Sequence, residues 1–183
     1  FPYTTLFRSS QCEILDNIKD NVNALIISPI NDPLIIKKIN EFVDAGIFVI
    51  TVNTDVSKSH RHCYVGSNYI NGGETAGALL KMIGPAKANI GIIMGSSKVL
   101  GHKQRLNGFK NNIKHTANFN IIDVQENEDD DILSYDKTKN MLETYPHINV
   151  LFIVAAGVYG ACRAAIACNR QDITILAFDT VPT

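Results

Sequence analysis

The chain has 183 residues, enough for one large or two small domains. Its 45% hydrophobic and 19% charged content excludes a disordered chain, and a formal net charge of −1 leaves no basic footprint for nucleic acid. No apolar run approaches the roughly 18 residues of a membrane span.

Phe1 to Ser9, Phe-Pro-Tyr-Thr-Thr-Leu-Phe-Arg-Ser, reads like a translated sequencing adaptor and is set apart from the fold. On that reading the natural chain enters in mid-domain. Gln11 to Asn21 is expected to be a helix, with Ile14, Leu15 and Ile18 on one face. Ala24 to Ile27 is a short apolar strand, followed by a turn at Ser28. Asp32 then caps a helix that starts at Pro33. Ile35, Ile36, Ile39, Phe42 and Val43 form its buried stripe, and Gly46 ends it. Phe48 to Val52 is the next strand, with Asn53, Thr54 and Asp55 behind it.

Cys63 to Val65 is a short strand, and Gly66-Ser67-Asn68 leads into a helix that carries Ala76, Leu79, Leu80 and Ile83. Ile90 to Met94 is a buried strand, and Gly95-Ser96-Ser97 turns into a helix with Leu106, Phe109 and Ile113 on one face. Arg105 lies one turn into that helix and can reach back over the strand ends. Ile121 to Val124 is a strand, Glu126 to Asp131 an acidic loop, and Ile132 to Tyr145 a helix stopped by Pro146. Val150 to Val154, the turn Ala155 to Gly157, the helix Val158 to Ala167 and the strand Ile173 to Phe178 complete the pattern, with Asp179 after the last strand. Such alternation predicts an α/β fold with parallel sheets.

In open α/β sheets, ligands bind beyond the carboxyl ends of the strands. The residues there are Ser28, Asn53, Thr54, Asp55, Gly95 to Ser97, Asn127 to Asp129, Ala155 to Gly157 and Asp179. Each also suits an ordinary turn or cap. Together with Arg105 they offer carboxylates, amides, hydroxyls and a fork of donors, which suits a polyhydroxylated ligand. Tyr69 and Tyr159 are candidate rings for its apolar face. Asn127 or Asp129 could reach the ligand from the acidic loop.

Other signals are weaker. Gly95 to Gly101 lacks the Lys-Ser/Thr of a phosphate loop, and His102 follows it. His60-Arg61-His62-Cys63 has no second cluster to complete a metal site. Cys12, Cys63, Cys162 and Cys168 show no disulfide or metal spacing, and unpaired thiols lean towards a reducing compartment. No nucleophile with an adjacent base is evident, so no catalytic residue is assigned.

The ordered set Ala24 to Ser28, Ala45 to Asn53, Gly66 to Asn68 with Gly72-Gly73 and Ala76-Gly77, Arg105 to Phe109, Gly160 to Ala164 and Ala177 to Pro182 resembles a known family. It is similar to the periplasmic-binding-protein-like sensor domains of the lactose-repressor family and to ribose-type binding proteins. The resemblance implies two Rossmann-like lobes with parallel sheets, truncated here at both ends. Residues 10–66 would be part of the first lobe and 67–183 an incomplete second one, with the first of three hinge crossings at Gly66 to Asn68. It implies a sugar-like ligand that closes the lobes, with the family's binding arginine at Arg105 and its late-strand carboxylate at Asp179; with the strand-end residues above, the expected ligand-binding set is Ser28, Asn53, Thr54, Asp55, Arg105, Asp129, Ala156 and Asp179. Ribose-type proteins carry Asp-Arg where this chain has Asn53-Thr54, and an amide-acid pair near Ala155-Ala156. The pocket should therefore be less polar on that side.

The expected role is the effector domain of a cytoplasmic transcriptional regulator, dimeric, and touching DNA only through a module outside this sequence. The alternative is the receptor of a sugar importer, periplasmic or lipid-anchored outside the cell, with a permease as partner. Neither reading calls for a cofactor or a metal.

Overall fold

A computed structural model describes residues 5–56 and 58–178, with side chains from residue 9 onward. Its elements form two compact units. One holds the described residues up to Asn68 together with Lys98–Gly101; the other holds Tyr69–Ser97 and the described residues from His102 on.

The first unit is built on a three-stranded parallel sheet. Its strands β1 (Ala24–Ile27), β2 (Phe48–Val52) and β3 (Cys63–Val65) lie in chain order. Helices α1 (Thr5–Ile18) and α2 (Pro33–Asp44) supply its core, where Leu15, Ile35, Ile39 and Phe42 meet Leu25, Val49 and Val56. The Asp32 carboxylate accepts from Leu34 N–H at 2.8 Å, and Gly46 adopts φ +79°, so both ends of α2 form as the sequence predicts. Two expectations shift. Ile14 stands 57% exposed, because Cys12, Leu15 and Ile18 carry the buried stripe of α1 instead. Residues 5–9, set apart above, continue the same helix.

The opposite face of this sheet is uncovered. Strand side chains alternate between faces, and Ile26, Phe48 and Val65 are 69%, 48% and 59% exposed. Parallel sheets are ordinarily buried on both faces.

The second unit is a three-layer sandwich around a four-stranded parallel sheet in the order β5-β4-β6-β7. The strands are β4 (Ala88–Met94), β5 (Phe119–Glu126), β6 (Val150–Ile153) and β7 (Thr174–Ala177). Helices α3 (Tyr69–Ile83) and α4 (Leu100–Ile113) add Leu80, Leu106, Phe109 and Ile113 to the core on one face. Helices α5 (Asp131–Thr144) and α6 (Val158–Ala167) add Met141, Leu142, Val158 and Ala161 on the other. With both faces covered, β6 and the stretch Ile90 to Met94 of β4 read as continuous apolar runs. Cys162, within α6, and Cys168, just beyond it, both pack against the second of these cores.

Helix α3 departs from its expected stripe. Leu79 and Ile83 are 42% and 65% exposed, while Gly73 and Gly77 are buried beside Leu80. The cause is a close crossing with α4. A Cβ on Gly73 would lie 1.9 Å from Arg105 O, and one on Gly108 would lie 2.1 Å from Ile70 O. Small residues let the two backbones touch, so the glycines form the contact face that an apolar stripe would otherwise occupy.

Candidate functional site

Parallel register brings the carboxyl ends of β4, β5 and β6 level, with Met94 opposite Glu126 and Ile93 opposite Ile153. Backbone bonds run past the strand ends. Asn127 N–H donates to Met94 O at 2.8 Å, Glu128 N–H to Gly95 O at 2.9 Å, and Val154 N–H to Ile93 O at 2.8 Å. The three loops are thereby fixed to one another before any side chain acts.

Asn127 stitches them further. It is fully buried, donates from Nδ2 to Ala156 O at 2.9 Å and accepts from Asp129 N–H at 3.0 Å. Glu128 and Asp129 both take the left-handed conformation, at φ +52° and +62°. Non-glycine residues adopt it at a cost of roughly 1–3 kcal/mol, a strain that clusters at functional sites. The reward is the placement of the Asp129 carboxylate. Its Oδ1 accepts from Ala156 N–H at 3.3 Å, and its Oδ2 is buried without a hydrogen-bond partner, 3.9 Å from His102 Nδ1. His102 Nδ1 itself accepts from Ser96 N–H at 3.1 Å. Burial pushes the His102 pKa below its ordinary 6.5 and the Arg105 charge adds to this, against the opposing pull of Asp129 and Glu126. Gly95 is required here, because a Cβ would sit 2.2 Å from Asp129 Oδ1 and 2.6 Å from His102 Cε1.

Arg105 lies beside this cluster. One terminal nitrogen donates to Val154 O at 2.9 Å, and the guanidinium carbon lies 4.1 Å from the Phe178 ring centre and 4.9 Å from that of Tyr69. The cation is thus held between two rings and tied to the end of β6. Nε and the second terminal nitrogen have no hydrogen-bond partner among the described residues, and neither is fully buried. The geometry can therefore offer a rigid fork of donors to an incoming group.

The first unit has its own polar edge at the ends of β1 and β2. Thr54 donates to Pro29 O at 2.7 Å, and its hydroxyl oxygen lies 3.2 Å from that of Ser28. Asn53 sits at φ +60°, and its carbonyl accepts from the Tyr64 hydroxyl at 3.0 Å. Asp55 is taken up within its own loop. It accepts from Thr51 at 2.8 Å and from Arg61 at 2.6 Å, leaving neither carboxylate oxygen without a protein partner.

Of the predicted residues, Ser28 and Thr54 meet in one unit, and Arg105, Asp129 and Ala156 share one edge in the other. Ala156 takes part through its backbone alone. Asp179 lies outside the described residues. Tyr69 joins the Arg105 site, whereas Tyr159 carries Arg163 over its ring at 5.7 Å and lines a separate hollow with Asp131, Ile132 and Tyr135. Sequence reasoning missed His102, Phe178 and Arg61. The i, i+3 spacing of His102 and Arg105 was the available signal for the first. For Arg61 there was none beyond its nearness to Asp55.

Comparison with known proteins agrees with this architecture. The profile of a family described as periplasmic binding protein domain matches residues 8–183. The ribose import binding protein RbsB of Escherichia coli (strain K12) is 22% identical over 173 residues, which are 92% of this chain and 58% of that protein. The D-ribose/D-allose-binding protein of Pseudomonas aeruginosa is 24% identical over 184 residues, 94% of this chain and 57% of that one. The crystal structure of GanP, a glucose-galactose binding protein from Geobacillus stearothermophilus, superposes with a TM-score of 0.89 at 26% identity, covering 96% of this chain and 64% of GanP. The chain thus spans a little under three fifths of the curated relatives' length. Its fold is the two-lobed α/β type with parallel sheets of periplasmic binding proteins.

Proposed function

The chain belongs to the periplasmic binding protein domain family, and from that premise we propose that it binds a monosaccharide or a closely related polyol reversibly, as the receptor of an importer. One observation carries the reading: Arg105, clamped between Tyr69 and Phe178 with donors to spare, beside the Asp129–His102 cluster. A ring-stacked guanidinium over a strand edge suits a ligand with many oxygen acceptors and an apolar face. No bond need form or break there, so the role is binding and not catalysis.

The importer reading takes the place of the regulator expected from sequence. That expectation leaned on unpaired cysteines, whereas the curated relatives named above bear the names of sugar-binding and ribose-import proteins. A location outside the cytoplasmic membrane and a permease partner go with this reading. Titration calorimetry against D-ribose, D-allose, D-galactose and D-arabinose tests it directly. Micromolar or tighter binding of at least one supports it, and silence from all four together with other pentoses, hexoses and inositols removes it.

A further inference from the structure

We infer that His102 is a specificity-setting residue of the Arg105 edge, presenting a single neutral N–H to an oxygen acceptor of the ligand. The inference rests on the sugar-binding reading above and extends it to a residue outside the predicted set.

His102 and Arg105 stand three residues apart on α4, the spacing that puts side chains on one helical face. The ring's orientation is fixed from two sides. Ser96 N–H donates to Nδ1 at 3.1 Å, and Gly95 leaves room for Cε1 where any Cβ would sit 2.6 Å away. Turning the ring over would strand the Ser96 N–H. Because Nδ1 is the acceptor, the neutral imidazole carries its proton on Nε2. Nε2 has no hydrogen-bond partner among the described residues and is not fully buried. A fixed tautomer with its donor left over is the arrangement expected of a recognition group.

The charged groups around it come from its own helix and from one other element. Asp129 and Glu126 arrive from the end of β5, and Arg105 from the next turn of α4. Burial keeps the ring uncharged among them, so its donor is a neutral one. Arg105 then supplies strong charge-assisted bonds, and His102 a weaker directional bond that discriminates where the ligand's oxygens stand. A hydroxyl or ring oxygen acting as acceptor fits it. A deoxy position there leaves the Nε2 donor unsatisfied.

Two amide variants separate recognition from support. In His102→Gln the amide nitrogen falls near the place of Nε2 and the Ser96 N–H loses its acceptor. In His102→Asn the amide oxygen falls near Nδ1, keeping that acceptor and deleting the outer donor. We expect calorimetry on the full chain with D-ribose, D-allose, D-galactose and D-arabinose to show His102→Asn weakening the sugar that binds about 5- to 30-fold. His102→Gln should recover most of that loss, while the melting temperatures run the other way, with His102→Asn the more stable. Affinities that simply follow the melting temperatures mark a structural role and overturn the inference. Binding that Arg105→Ala abolishes and His102→Asn leaves unchanged overturns the His102 inference alone. Failure of the wild-type chain to bind any of the four sugars overturns this inference, and with the wider panel silent as well it overturns the sugar-binding reading.

Discussion

Phe178 lies with its ring centre 4.1 Å from the guanidinium carbon of Arg105, and the same ring closes on Phe152 at 5.9 Å between centres. The cation is therefore continuous with the hydrophobic core. Phe152 stacks in turn on Phe109, one helical turn beyond Arg105 on α4. A rigid apolar base holds a polar fork at the surface, so the fork's position costs the ligand little ordering entropy.

Arg105→Ala should weaken sugar binding at least about 100-fold, from two lost charge-assisted bonds worth roughly 1.5–3 kcal/mol each. It should also lower stability by about 1 kcal/mol, since Val154 O loses its donor and two rings lose their cation. Arg105→Lys should recover little affinity, because an ammonium cannot fork. Calorimetry and thermal melting on the same preparations check both parts; unchanged affinity in the alanine variant would count against the site.

Gly73→Ala should destabilise the second unit by roughly 1–3 kcal/mol or more, as an overpacked contact does. The obstruction is backbone, Arg105 O at 1.9 Å, which cannot swing aside as a side chain can. Affinity should fall with it, because α4 must shift and carries Arg105. Gly46→Ala, by contrast, meets no atom within 4 Å and suffers only from its φ of +79°. Chemical denaturation of the two variants should rank them in that order.

Much of this was legible in the sequence and some was not. The strands β1, β2 and β3, the caps of α2 and the limits of α6 follow from local patterns and stand as predicted. β5 runs from Phe119 to Glu126, longer than its apolar stretch Ile121 to Val124, because its outer residues pair with β4 whatever their side chains. α3 was misread on its buried face, since glycine has no hydrophobic signature and the α3–α4 crossing is a tertiary event. Arg105 was singled out from its place behind a strand. Asp55 looked equally good by that criterion, but Arg61 and Thr51 occupy both of its oxygens, which only the fold reveals.

Acid should destabilise the chain in part through His102. Its folded pKa lies below the ordinary 6.5, so the unfolded chain takes up the proton first as pH falls. The stability tied to the neutral ring is complete above 6.5, declines below it, and stops declining under the folded pKa. His102→Asn should flatten the part of the melting-temperature profile that begins near that pH. A profile unchanged by the variant would assign the acid sensitivity elsewhere.

Asn127→Ala should cost roughly 1–3 kcal/mol, from two part-buried backbone groups that lose their partner, Ala156 O and Asp129 N–H. Binding should suffer more than the stability change requires, because the strained Glu128–Asp129 turn loses its brace. Asn127→Asp keeps the acceptor for Asp129 but buries a carboxylate against Ala156 O, so it should cost at least as much as the alanine variant. Melting and affinity measured together resolve the two contributions.

The uncovered face of β1, β2 and β3, with Ile26, Phe48 and Val65 outward, governs how the isolated chain behaves in a test tube. It should light up an apolar fluorophore such as anilinonaphthalene sulfonate, clump at low millimolar salt as readily as at high, and recover on addition of mild detergent. Purification yield would then track the greasy surface rather than the soundness of the Arg105 edge, and a meagre harvest would leave the proposed recognition untouched.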